Sequence, residues 1–303
     1  MVLTRIAFLM EGNEMKKRMV FGVVGGDIRQ GKLAELLAGD GHKVHMFGLE
    51  KLQDLPNLPQ AENLKEALKA DCVILPLPVR EDNGLNMPFS TQQCSLDELV
   101  KTLQPGQIVC AGMVPPYLAL AAGEKGVKLY DYFAREELAV ATAVPTAEGA
   151  IQLAMEELPV TISGARVLII GYGRLGRTLA PRLAALGADL SVAARKYSDL
   201  AWIEASGWKP EHTEKLDEKL GRFDLIINTA PARVLNEKQL LELNKDCLCI
   251  DLASRPGGVD FETAAQLGVK VIWALSLPGK VAPVTAGKAI RDTIYNILQE
   301  LGV

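Results

Sequence analysis

Histidine, paired cysteine and long apolar runs are what this chain has least of, and each scarcity removes a class of function. Three histidines in 303 residues, His42, His45 and His212, fall at no metal-ligand spacing, so no metal site is expected. The five cysteines form no C-x-x-C pair, and Cys72, Cys110, Cys247 and Cys249 sit inside apolar runs as small hydrophobes. That usage suits a reducing cytoplasm rather than a disulfide framework. No uninterrupted run approaches the roughly 20 apolar residues of a membrane helix. Residues 1–17 are broken by Arg5 and have no small-residue cleavage site; they read as a leader or tail of no clear role. A net charge of −4 gives no electrostatic case for nucleic acid or an anionic membrane.

What is present is a regular alternation of short apolar runs and helix-like segments. Strands are expected at Val20–Val24, Lys43–Phe47, Cys72–Leu75, Gln107–Ala111 and Lys128–Tyr130. A second series follows at Arg166–Ile170, Leu190–Ala194, Asp224–Asn228, Cys247–Asp251 and Lys270–Ala274. Runs such as VLIIG and DLIIN are apolar on both faces, as a parallel strand covered by helices on each side must be. The expected fold is therefore α/β, with two doubly wound Rossmann-like domains and a ligand cleft between them. The first would span 18–144 and the second 145–284. Pro145 is expected in the first turn of a helix joining them, where its missing N–H costs nothing. Near the C-terminus, Thr285 can cap a helix in which Ile290, Ile294, Ile297, Leu298 and Leu301 share one face. After the linker ALSLPGKVAPV at 274–284, with two prolines and a glycine, that helix, 285–303, is expected to return to the first domain; the alternative is that it stays on the second.

The second domain carries the most informative motif. After the strand RVLII comes Gly171-Tyr172-Gly173-Arg174-Leu175-Gly176, followed by a helix-forming segment. The first glycine permits a tight turn, the second admits a pyrophosphate to the backbone, and the third lets helix and strand pack closely. An NAD site has Asp or Glu about 20 residues further on, bonded to the ribose 2′-hydroxyl. Here Ala194, Arg195 and Lys196 stand in that place, with Ser198 as a further donor. Two cations and no carboxylate suit a 2′-phosphate, so the expected cofactor is NADP(H).

Later strand ends should line the rest of the ligand. Thr229, Ala230 and Pro231 are small residues expected beside the nicotinamide ribose, and Asp251 is expected at the nicotinamide ring. Arg255, next to Ser254 in the turn that follows, is a candidate for substrate binding or catalysis. In the first domain, VVGGDIRQ lacks a third glycine and carries Asp27, which disfavours a second nucleotide. Gly25, Gly26 and Arg29 could instead hold an anionic substrate, or Arg29 could simply pair with Asp27. Tyr117 and Arg135 are weaker candidates, read mainly as packing and surface.

Four segments together resemble the A subunits of bacterial dipicolinate synthase: GVVGGDIRQ, VPTAEGAIQLAM, the stretch from VLIIGYGRLG to SVAAR, and CIDLASRPGGVDF through LPGKVAPVTAG. The resemblance runs from about residue 20 to the end, and the last segment is the most specific. It implies an NADP-linked oxidoreductase of sporulation, forming dipicolinate from a dihydro- or hydroxytetrahydro-dipicolinate of the lysine pathway. The implied partner is a flavoprotein B subunit. The end of the chain also resembles D-2-hydroxy-acid dehydrogenases, in which a Pro-His pair carries the acid–base histidine. Here the matching place reads Pro278-Gly279-Lys280, so the histidine route is not expected and Lys280 becomes an acid or anion-partner candidate. A stand-alone NADP-linked reductase of a small carboxylic acid, or a non-catalytic NADP(H)-sensing protein, stays open. So does the oligomeric state, a homo-oligomer included.

Overall fold

The computed structural model describes residues 18–54, 57–82 and 84–303; the leader or tail at 1–17 lies outside them. The chain divides into two compact units, residues 1–141 with 282–303, and residues 142–281.

In unit 1 the order is β1 (Val20–Val24), α1 (Ile28–Gly39), β2 (Lys43–Phe47), α2 (Leu64–Ala67) and β3 (Cys72–Ile74). A small antiparallel hairpin follows, β4 (Arg80–Glu81) and β5 (Gly84–Leu85), then α3 (Leu96–Thr102), β6 (Ile108–Ala111), α4 (Pro116–Glu124) and β7 (Leu129–Asp131). The main sheet is parallel in the order β2-β1-β3-β6-β7. Alternate residues feed opposite cores, because side chains alternate across a strand. Phe21, Val23 and Ile74 enter one, while Val24, Val73 and Val109 enter the other.

Helix α5 (Glu136–Glu157) carries the chain across the unit boundary. Pro145 lies inside this helix rather than in its first turn. Its ring removes one helical hydrogen bond, but packing holds the helix on both sides of it. Leu138 is buried in the unit 1 core, and Ala147, Ala150, Ile151 and Ala154 in that of unit 2. By length and composition α5 is apolar enough to cross a membrane; Ala147, Ala150, Ile151 and Ala154 are buried, while Val140 and Met155 are exposed.

Unit 2 continues with β8 (Arg166–Ile170), α6 (Arg174–Ala185), β9 (Asp189–Ala194), α7 (Tyr197–Ala205), β10 (Lys209–His212) and β11 (Leu225–Asn228). Then come α8 (Glu237–Leu241), β12 (Leu248–Asp251), α9 (Phe261–Leu267), β13 (Lys270–Trp273) and α10 (Leu277–Val281). The sheet is parallel in the order β10-β9-β8-β11-β12-β13. This is the doubly wound dinucleotide-binding order, with its switch point between β8 and β11. Strand β10, of sequence KPEH, has no apolar pattern to betray it; at a sheet edge Pro210 is tolerated because no second neighbour needs its N–H.

The last helix, α11 (Pro283–Glu300), returns to unit 1 and packs along α1. It begins at Pro283, before the predicted Thr285 cap, because proline suits a first helical turn. Residues 277–281, read from sequence as linker, form the short helix α10. Ile290, Ile294, Ile297 and Leu298 are buried in the unit 1 core, each contributing about 1.5–3 kcal/mol as an upper estimate. Gly287 lets the helices close, since a Cβ there would lie 3.0 Å from Arg29 O and Leu33 N. Polar ties fix the register: Tyr295 Oη donates to Asp40 at 2.8 Å, and Arg135 Nη1 to Glu300 at 2.9 Å.

Candidate functional site

The carboxyl end of the unit 2 sheet is where the sequence places a ligand, and each glycine of the β8–α6 turn answers a separate steric demand there. Gly171, at φ 106°, would set a Cβ 2.4 Å from Thr229 Oγ1. A Cβ on Gly176 would lie 2.1 Å from Gly171 O, so any side chain would push α6 off the turn. Gly173 differs: nothing lies within 4 Å of a Cβ there, and the residue is exposed. It is also the N-cap of α6 and supplies no side-chain cap. The open space beside Gly173 therefore lies at the N-terminus of a 12-residue helix, the positive end of its dipole. That geometry fits a pyrophosphate. Tyr172 and Leu175 point the other way, packing on the unit 2 core, so only their backbone faces a ligand. Arg174 is exposed in the first turn.

Strand β9 ends beside this turn. Gly171 N donates to Ala193 O at 2.9 Å, and Ile170 pairs with Ala193 in register. Arg195, Lys196 and Ser198 emerge next, all exposed, and Lys196 is the N-cap of α7. Among the described residues neither Arg195 nor Lys196 has an ion-pair partner. The nearby Asp199 is taken by Arg177 at 3.1 Å. On the other side of β8, Thr229 is tied to Ile170 O through both its N–H, at 2.8 Å, and its hydroxyl, at 3.0 Å. Ala230 and Pro231 follow, partly or fully exposed.

Asp251 corrects the sequence reading. Its side chain is fully buried and touches no open space. Its Oδ1 accepts from Asn228 Nδ2 at 2.8 Å and Ala253 N at 3.1 Å, and its Oδ2 from Gly258 N at 2.7 Å. It acts as the staple of the 253–258 loop, and with no exposed surface its carboxylate is not presented to a ligand. Asn228 completes the staple by accepting from Ala230 N at 3.1 Å. Gly257 and Gly258 are required beneath it: their Cβ atoms would lie 2.9 Å from Asp251 Oδ2 and 2.0 Å from Asn228 Nδ2.

Arg255 rides on this stapled loop. It is exposed, and among the described residues it has no carboxylate partner. Its guanidinium lies 5.9 Å from the Trp273 ring centroid, and Trp273 stacks on Phe261 at 4.7 Å. Trp273 Nε1 donates to Ala253 O at 2.9 Å, adding a third anchor. Ser254 is exposed, with its carbonyl accepting from Gly257 N at 2.8 Å. Lys280 is exposed on α10, again without an ion-pair partner among the described residues. Trp273 escaped the sequence reading because its role depends on β13 lying next to β12.

In unit 1, Arg29 is not the free cation that an anionic substrate would need. It chelates Asp27 at 2.8 and 2.7 Å and donates to Leu77 O at 2.9 Å, with its side chain only 11% exposed. Burial works against the guanidinium charge, and the hydrogen bonds and charge of Asp27 more than restore it, leaving its pKa raised. Gly25 and Gly26 have positive φ, and Gly26 N donates to Asn86 O at 2.8 Å; their freedom serves the chain turn. Arg135 ties α11 down, and Tyr117 stays half exposed on α4. A cavity of about 850 Å³ opens beside β4 and β5, but Glu81, Asp82 and Glu98 line it. The cation there, Lys51, donates to Ser90 O at 2.6 Å and is outnumbered by those acids, which disfavours a dianion.

Known proteins agree with this division of labour. Residues 20–133 match the N-terminal domain of the dipicolinate synthase A subunit, and residues 135–263 match the D-isomer specific 2-hydroxyacid dehydrogenase, NAD binding domain. Over 285 residues the chain is 35% identical to the dipicolinate synthase A subunit of Bacillus subtilis (strain 168), covering 92% of this chain and 95% of that one. The chain belongs to the family of dipicolinate synthase A subunits. Crystal structures of family members superpose well: the one from Bacillus subtilis at TM-score 0.82 and 33% identity, covering 96% of this chain and 99% of that one. The one from Bacillus halodurans gives 0.80 and 32%, covering 93% and 96%. A transhydrogenase from Sinorhizobium meliloti, at 16% identity and TM-score 0.70, shares the fold alone; the match covers 93% of this chain and 93% of that one. As a member of this family with a nicotinamide dinucleotide domain, the protein is an NAD(P)-dependent oxidoreductase.

Proposed function

We propose that the protein oxidises dihydrodipicolinate, or its hydroxytetrahydro precursor, to dipicolinate with NADP as hydride acceptor. The observation that carries this reading is Arg255: a guanidinium with no carboxylate partner among the described residues, on a loop stapled to the ends of β12 and of β11, the strand next to that of the dinucleotide turn. A planar fork of N–H donors suits a carboxylate, and the proposed substrate has two. Ser254 and Lys280 are the neighbouring candidates for a further contact.

The dinucleotide would be held by the backbone of Gly171–Gly176, with Thr229–Pro231 beside its ribose and Arg195, Lys196 and Ser198 at its 2′-phosphate. Once bound, the nicotinamide supplies one thing, a carbon that accepts hydride. Oxidation of dihydrodipicolinate would remove one hydride, for which the nicotinamide would be the acceptor, and one proton, released to water, leaving an aromatic ring. Aromatisation lowers the demand for a strong base, which suits a loop offering Arg255 and no histidine. Arg255 would hold a substrate carboxylate and so fix the ring, an effect of proximity and orientation. By its resemblance to the family, the protein works in the cytoplasm during sporulation, with a flavoprotein B subunit.

Purified protein given dihydrodipicolinate and NADP+, with and without the flavoprotein, tests this. Ultraviolet absorbance from the aromatic product, rising with NADPH, is the expected result. Dinucleotide binding without turnover under either condition would replace it with a sensing role.

A further inference from the structure

Of the three histidines, only His212 ends a strand at the dinucleotide edge of unit 2. Register pairs it with Ala194, the residue before Arg195. Neighbouring strands lie about 4.8 Å apart, so the carboxyl ends of β9 and β10 form one short edge. The His212 ring lies 5.6 Å from that of Tyr197, which directly follows Lys196. His212 is half-buried, whereas Arg195, Lys196 and Ser198 are exposed.

Its hydrogen bonding selects a tautomer. Nδ1 accepts from Glu214 N at 3.3 Å, capping the 3-10 turn Thr213–Lys215. A neutral imidazole that accepts at Nδ1 carries its proton on Nε2. The acid beside it in sequence, Glu211, is already engaged by Lys219 at 2.7 Å and Arg222 at 2.5 Å. His212 thus brings a fixed donor to an edge that already holds two unpaired cations and an uncapped helix start. The same edge is four strand spacings, roughly 19 Å, from β12 and Arg255, too far for His212 to act as a base in the chemistry.

We propose that His212 Nε2 is a specificity-determining donor to the 2′-phosphate of the cofactor, acting with Arg195 and Lys196. This rests on the NADP reading above.

Two near-isosteric substitutions separate the roles of the ring nitrogens. The amide of His212→Asn reaches only the place of Nδ1, so it keeps the cap on Glu214 N and loses the outer donor. The amide of His212→Gln reaches the place of Nε2 and keeps the donor. Affinities for NADPH, NADH, adenosine 2′,5′-bisphosphate and adenosine 5′-monophosphate are measured by calorimetry on the full chain. His212→Asn should bind NADPH and the bisphosphate about fivefold more weakly, with NADH and the monophosphate unchanged. His212→Gln should stay near wild type for all four. Equal behaviour of the two variants, or equal losses for phosphorylated and unphosphorylated ligands, overturns the proposal. If wild type itself prefers NADH, the NADP reading fails and this inference with it. If wild type prefers NADPH and only Arg195→Ala loses it, the inference alone fails.

Discussion

Asn228 Nδ2 donates to Asp251 Oδ1 at 2.8 Å across two neighbouring buried strands, and this one bond joins the loop at Thr229 to the loop that carries Arg255. Asp251→Ala strands two backbone donors, Ala253 N and Gly258 N, and takes one of two acceptors from Asn228 Nδ2, which keeps Ala230 O at 3.1 Å. Buried donors without partners cost about 1–3 kcal/mol each, partly recovered by local rearrangement. A loss of roughly 3 kcal/mol is expected in urea denaturation, together with a lower kcat/KM. Wild-type stability in Asp251→Ala would show that the staple is dispensable.

Arg255→Ala should leave the fold and NADPH affinity intact, because the guanidinium is exposed and its loop is held by backbone contacts. Loss of a charge-assisted contact, about 2–3 kcal/mol, corresponds to a KM rise on the order of 30- to 150-fold for the dicarboxylate. Steady-state kinetics beside an NADPH titration checks both halves. A loss confined to NADPH binding would place Arg255 at the cofactor.

The exposed and the buried glycine of the turn should fail differently. Gly173→Ala meets open space and has an ordinary φ of −81°, so thermal stability should hold while dinucleotide affinity falls at least about tenfold as the methyl group displaces the phosphates. Gly176→Ala, with its Cβ 2.1 Å from Gly171 O, should cost about 2 kcal/mol or more of stability. Calorimetric melting and NADPH titration of the two variants distinguish them.

Acid should loosen the end of α11. Hydrogen bonds from Arg135 hold the Glu300 carboxyl below its ordinary value of 4.5. A folded-state pKa lower than the unfolded one adds stability above that ordinary value and loses it as pH falls through the lower folded value. Glu300→Gln should therefore melt lower than wild type at pH 7, and the gap should close as the pH drops below 4.5. Melting curves across that range, with hydrogen exchange over 283–300, check it; a gap independent of pH would rule out the ion pair.

Buried parallel strands could be read from sequence because each is apolar on both faces, and β1, β2 and β8 match their predicted bounds residue for residue. Strand β10 could not be read that way: KPEH pairs on one side only and owes its conformation to β9. The Gly171–Gly176 turn was legible because its constraints are local, set by backbone torsion and by a helix packing on its own strand. The absence of an acid at Ala194–Lys196 was equally visible.

Side-chain roles were another matter. Asp251 looks like a ligand residue in sequence and is a staple in the fold; Arg29 could be read as an anion site or as the partner of Asp27, and the fold chooses the second. Each role depends on what a neighbouring element presents to the side chain. The α/β class, the dinucleotide turn and the cationic end of β9 follow from short-range periodicity, torsion and charge, so the chain's own order of residues settles them. The return of α11 to α1, the meeting of Asn228 with Asp251 and the place of His212 beside Arg195 do not. These placements depend on separate elements coming together, and the pairing of His212 with Ala194 exists only once parallel strands are in register.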